Sequence, residues 1–225
     1  MKLTVYTAAL LLLATGTYSQ QNRITFGVDG GISIAKLSTD DSNYKDVYKS
    51  RTGYAAGIAF QYNFPKVLSL RTGVMYEFKG TSFPTDSAGI AADPNGAINA
   101  LETIDYLTVP LLLRATFGDK INFFVNAGPY WSLLLKRIRV LEAAGSYAGK
   151  EINLTDDTEK SEFGISAGIG ASAVFNERIV ISVEARNNLG MTDIGSQTYQ
   201  LKTRTILILA GVALKFGSRE NDAKK

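Results

Sequence analysis

The stretch KVLSLRTGVMYEFKG, residues 66–80, reads with a period of two. Leu68, Leu70, Thr72, Val74, Tyr76 and Phe78 form one set, and Ser69, Arg71, Gly73, Met75, Glu77 and Lys79 the other. Such alternation marks a β-strand with one apolar and one polar face. Which face meets water separates two architectures. In a soluble sandwich the apolar face turns inward. In a membrane barrel it turns outward to lipid, and the charges turn into the lumen.

The same alternation recurs along the chain and predicts eight strands, at residues 24–37, 52–63, 68–80, 104–117, 122–138, 160–175, 179–191 and 203–216. Residues 64–67, 118–121 and 176–178 are tight connections with turn chemistry, FPKV, GDKI and NER. Residues 38–51, 81–103, 139–159 and 192–202 are long and polar. Short and long connections in alternation are the mark of an all-β, eight-stranded antiparallel up-and-down transmembrane β-barrel. A Greek-key sandwich gives no reason for that regularity.

The non-apolar faces decide the orientation. They are rich in Gly and Ser, as in Gly164, Ser166, Gly168, Gly170 and Ser172 against Phe163, Ile165, Ala167, Ile169 and Ala171. Glycine weakens a solvent-facing strand, yet it suits the concave inside of a small barrel, where it leaves room for larger neighbours. The charges on that face have mixed sign: Asp29, Arg71, Glu77, Arg114, Glu162, Glu184 and Arg186. They are expected to pair as a structural network in the lumen, because unpaired burial is costly.

The aromatic residues point the same way. Phe26, Tyr62, Phe64, Phe117, Phe123, Phe175 and Phe216 lie on apolar faces near the short-turn ends. They predict a girdle at the periplasmic interface of an outer membrane. Tyr54, Tyr76, Phe78 and Phe163 are expected to form the opposite ring. In the last strand Ile206–Ile208 and Leu207–Leu209 are both apolar, so its phase is unreadable. Pro110 and Pro129 fall inside strands, where a missing donor predicts bulges or register irregularity.

The ends and the composition add bounds. Lys2 followed by the apolar run of residues 3–14 and small residues at Thr17 and Ser19 predicts a signal peptide over residues 1–19. That run is too short to span a bilayer, which takes about 20 residues. The barrel is then expected over residues 20–216, with a charged tail at 217–225. The whole chain carries a net charge of +3. Losing the segment with Lys2 brings it to about +2, too small a surplus for a nucleic-acid footprint. Cysteine is absent, so no lipid-anchored N-terminus is expected and no disulfide can hold the fold. Sheet closure is one other way to hold it.

Histidine is absent as well. This removes Ser-His-Asp and Cys-His catalysis and the usual zinc ligands. No enzyme, cofactor or metal site is expected. GISAGIG, residues 164–170, lacks the helix and Lys of a phosphate loop. Asp40, Asp41, Asp156 and Asp157 could hold a divalent cation, but solvated loop charge is the simpler reading. An eight-stranded lumen is filled by side chains, which favours a non-enzymatic structural or interaction role, with outer-membrane lipid and a protein met by loops 81–103 and 139–159 as partners. A narrow channel and a small-ligand-binding barrel are the alternatives.

Several stretches also carry a family likeness. They are ITFGVDGGISIAKLS (24–38), GYAAGIAFQYNF (53–64), LSLRTGVMYEFKG (68–80), DYLTVPLLLRATF (105–117), FFVNAGPYWSLLLK (123–136) and EFGISAGIGASAVF (162–175). With these, the chain resembles the PorT-like outer-membrane β-barrel family of Gram-negative bacteria. The YL-x-x-P-LLL and AGPY segments are the most specific, and they contain both strand prolines. The resemblance implies an eight-stranded barrel in the outer membrane. Its name member is linked to protein export by the type IX route, so an accessory part in secretion is one expectation. The chain departs from many such barrels in ending beyond its last aromatic residue, Phe216, in a charged tail.

Overall fold

A computed structural model describes residues 23–39, 49–84, 99–119, 121–141, 150–194 and 201–216. The expected signal peptide at 1–19, the charged tail at 217–225 and Asp40 and Asp41 lie outside the described residues. The chain forms β1 (Ile24–Thr39), β2 (Lys49–Asn63), β3 (Leu68–Pro84), β4 (Asn99–Gly118) and β5 (Ile121–Leu141). It continues with β6 (Lys150–Asn153), β7 (Ser161–Phe175), β8 (Ile179–Gly190) and β9 (Leu201–Phe216). All pairings are antiparallel. Each long strand pairs with its neighbours in sequence, and β9 pairs with β1, so eight strands close into a barrel with no free edge. Among the described residues, only the four-residue β6 stands outside the ring, added to the long-loop end of β5.

The three tight connections need unusual backbone. Lys66, Asn176 and Glu177 have φ of 74°, 47° and 60°, and Gly118 has φ of 119°. Asparagine tolerates the left-handed region and glycine enters it without penalty. These turns fix the register of the three hairpins.

The walls are of unequal height. β5 has 21 residues and β8 has 12, whereas a bilayer-spanning strand needs about 9–11. The extra length lies at the long-loop end of β3, β4, β5 and β6. This corrects the expected loops. Residues 81–84 pair with 99–102, and residues 138–141 pair with 150–153. Segments 81–103 and 139–159 are therefore in part ordered sheet.

Burial alternates as the faces require, with the polar side inward. Ser69, Arg71, Glu77 and Lys79 are buried on β3, while Leu68, Leu70 and Val74 are exposed. Ile169 and Phe123 are each 64% exposed. Such an apolar exterior is stable where lipid, not water, surrounds it. The phase of β9 is settled by the register: Leu207 and Leu209 turn inward, and Ile206 and Ile208 outward. Leu207 and Leu209 cluster in the lumen with Ala55 and Met75.

The strand prolines interrupt pairing locally, in β3–β4 at Pro110 and in β4–β5 at Pro129, but they cause no bulge and no shift of register. The β3–β4 ladder keeps one register from Thr72–Leu111 to Met75–Thr108, across Pro110. The Pro110 carbonyl accepts from the Thr72 hydroxyl at 2.8 Å. Pro129 pairs with Ile165 within an unbroken β5–β7 ladder. The shifts fall elsewhere, between Ser50 and Ala55 on β2 and between Asp105 and Tyr106 on β4.

Candidate functional site in the barrel lumen

Three polar clusters succeed one another along the lumen, from the short-turn end to the long-loop end. The first joins five of the charges named from the sequence. Arg71 pairs with Asp29. Arg114 donates to Glu184 at 2.7 Å, and Arg186 donates to the other oxygen of Glu184 at 2.6 Å. Asn126 donates to Glu184 at 3.1 Å. Alternation on β1, β3, β4 and β8 brings these side chains to the inside. Three guanidiniums face two carboxylates, so this layer has a surplus of one positive charge.

The second cluster has the opposite balance. Lys79 lies 3.2 Å from Glu77 and 4.0 Å from Glu162, and all three are almost fully buried. Its ammonium sits 4.7 Å from the centre of the Tyr106 ring, a cation–π contact. Tyr130 and Thr203 donate to the same Glu162 oxygen at 2.5 and 2.6 Å. Asn188 donates to Glu77 at 3.3 Å and accepts from Ser166 at 2.7 Å. These bonds satisfy much of what burial takes from water.

The third cluster closes the long-loop end. Glu102 is fully buried between Arg137 and Arg139. Arg137 also donates to Thr158 at 3.0 Å and to the Ile194 carbonyl at 3.5 Å. Beneath it Leu37, Ile104, Tyr106, Leu134 and Ile194 pack together, with Leu201 against them. Ile194 is held by its amide, which donates to the Leu201 carbonyl at 2.8 Å. An apolar plug and a buried ion pair thus fill the barrel at this end. By contrast, the short-turn end opens into a cavity of about 1020 Å³.

All seven charges named from the sequence line the lumen. Lys79, Glu102, Arg137 and Arg139 were not among them. Lys79 lies on the same face as Glu77, two residues on, and that spacing was the available signal. Glu102 lies in what reads as a loop. Arg137 is hidden by an extra residue on β5. Tyr130, Ser132 and Leu134 face inward, Leu135 and Lys136 are both exposed, and the inward set resumes at Arg137. A bulge of this kind reverses the parity of every later residue. Asp156 and Asp157 stay apart from the clusters, and Asp156 lies 3.8 Å from Lys160.

Phe26, Phe117, Phe123, Phe175 and Phe216 are exposed on the outer wall near the short turns, and Tyr62 and Phe64 are half-buried there. Tyr62 and Phe64 meet edge to face at 5.3 Å. At the other end Tyr54 stacks on Phe78 at 5.2 Å.

Two inward glycines are covered by rings from the adjacent strand. A Cβ on Gly170 would run into the Phe124 ring and the Val183 carbonyl, and one on Gly164 into the Tyr130 ring. Phe124 in turn carries Arg114, whose guanidinium carbon is 3.7 Å from the ring centre. Gly170→Val is therefore expected to displace Phe124 and loosen Arg114, costing about 1–3 kcal/mol by overpacking. Urea unfolding of the lipid-refolded barrel measures this, with the outward Ala171→Val change as the near-neutral control.

A closed antiparallel barrel with an apolar exterior and a charged, hydrogen-bonded interior defines an outer-membrane-type β-barrel. The chain belongs to the outer membrane protein beta-barrel domain family, which it matches over residues 18–196. Among solved structures, the chain is similar to Neisserial surface protein A, at 16% identity, covering 88% of this chain and 100% of that one, with a TM-score of 0.46. OprG from Pseudomonas aeruginosa is similar at 11% identity, covering 86% and 96%, with a TM-score of 0.45. Outer membrane protein W of E. coli is similar at 12% identity, covering 88% and 100%, with a TM-score of 0.44. No curated protein matches the chain.

Proposed function

We propose that the protein is a non-enzymatic integral outer-membrane barrel that acts through its projecting wall and not as a channel. The observation that carries this reading is the filling of the barrel from its middle to its long-loop end. Lys79, Glu77, Glu162 and Tyr130 occupy the middle, and the plug around Ile194 lies above them. A solute entering from the short-turn side meets the buried ion pairs of Glu184 and then of Lys79. This argues against the narrow-channel alternative.

The part left for contact with other molecules is the surface. The seven aromatic residues near the short turns suit one membrane interface, where amphipathic rings settle at headgroup level. The lipid of the outer membrane is then the partner of the outer wall. The raised ends of β3, β4, β5 and β6 stand beyond the span that a bilayer needs, and they offer a rigid sheet to a protein partner. In this reading residues 1–19 direct export and are removed, residues 20–216 form the barrel, and residues 217–225 are a tail. The likeness to PorT-like barrels makes an accessory role in protein secretion the narrower form of the proposal.

The secreted proteome of a strain lacking the protein, compared with its parent, tests that narrower form. Export cargo held in the periplasm behind an intact membrane is the expected result. Unchanged secretion would remove the secretory role and leave a structural or adhesive one.

A further inference from the structure

The described lining of the cavity at the short-turn end carries five cationic side chains against three carboxylates. Its floor is the first charge cluster and its rim is made by the three tight connections. Arg71 and Arg114 form the floor, each less than one-tenth exposed. Both donate to the same oxygen of Gln61, at 3.5 and 3.4 Å, which are long distances for a guanidinium bond. Their carboxylate partners, Asp29 and Glu184, are already engaged.

Donors therefore outnumber acceptors at the floor. Arg114 Nε and Ser69 Oγ are buried at the cavity wall with no hydrogen-bond partner among the described residues. Each guanidinium has five N–H groups and no acceptor. The rim adds Arg23, Lys66 and Lys215 against Asp119 and Glu177, so cations outnumber carboxylates among the described lining residues. The volume, about 1020 Å³, is at the upper end of that of small-molecule sites.

We propose that this vestibule binds a small molecule bearing an oxyanion, a phosphate or a carboxylate, that enters from the short-turn side. The oxyanion would take the guanidinium donors that Gln61 holds poorly. Lys66 and Lys215 would draw it in from the mouth. The site needs no passage through the barrel, so it is compatible with a sealed lumen and stands independently of any role in secretion.

The test uses the full mature chain refolded in uncharged detergent. Inorganic phosphate and citrate are titrated separately at constant ionic strength, with chloride as the reference anion, while amide and Arg Nε resonances are followed. Saturable shifts at Ser69, Arg71 and Arg114 are expected with at least one probe, and the stronger probe tells phosphate from carboxylate. The double change Lys66→Ala and Lys215→Ala, remote from the packed interior, should weaken binding about fivefold for each lysine removed. Lys136→Ala, on the outer wall, should leave it unchanged. Shifts that rise linearly without saturation, or that survive the double change undiminished, would overturn the proposal.

Discussion

Glu184→Leu should lower the unfolding free energy of the barrel by about 3–5 kcal/mol, the cost of breaking a buried ion pair by removing one partner. Glu184 is the hinge of the first cluster. It takes Arg114 on one oxygen and Arg186 and Asn126 on the other. Leucine would leave both guanidiniums without their carboxylate, in a layer that already has more cations than anions. Arg114 would keep its contact with Phe124, and Arg186 would keep no ion pair. Glu184→Gln should cost less, because it retains an acceptor for one guanidinium. Urea titration of the barrel in lipid gives the difference directly. Equal stability of Glu184→Leu and the parent would show that the cluster is solvated through the vestibule and carries little of the fold.

Ile169→Arg should cost about 2–4 kcal/mol, although Ile169 is 64% exposed and touches no buried core. In water such a change at an exposed site falls within about 0.5 kcal/mol of neutral. The difference lies entirely in the surroundings. Ile169 sits mid-wall on β7, flanked across the ladders by Val125 and Ala185. Arginine there must bring its charge into hydrocarbon or bend toward an interface. The inward neighbour Ser172→Ala should change stability little in the same assay, since it tests the other face. A negligible effect of Ile169→Arg would place this wall in water and contradict the membrane reading.

The fold was legible because alternation carries it. Over residues 68–80 of β3, and on β7 and β8, every second residue is polar or small apart from Met75, Val174 and Val180, and the faces can be assigned from the chain alone. The short turns were legible for a second reason: they are brief and contain Gly, Asn, Asp or Pro. What remained hidden has physical causes. Wall height was missed because residues 81–84 and 99–102 carry the small and polar residues of a loop, and only their pairing with one another makes them strands. The phase of β9 was unreadable because the lumen contains apolar patches, so Leu207 and Leu209 face inward beside Met75. Arg137 was missed because the bulge on β5 is silent in sequence and reverses parity behind it. The prolines act locally: pairing lapses opposite Pro110, yet the β3–β4 register is the same on either side of it.

The charges named from the sequence were found by face, while their partners required the closed barrel. Arg114 and Glu184 are 70 residues apart and meet across the lumen. Nothing in local spacing pairs them. The separation into layers with surplus charge of alternating sign is likewise a property of closure, not of any one strand.

The most direct test of the account is single-channel recording of the purified protein in a planar bilayer at high salt. Insertion is verified by protease protection of the same membranes. With the lumen filled by the Lys79 cluster and capped at Ile194 and Arg137, verified insertion should produce no conductance steps above noise. Regular steps of uniform size, present in the parent protein and scaling with salt, would show an open aqueous path and contradict the sealed barrel.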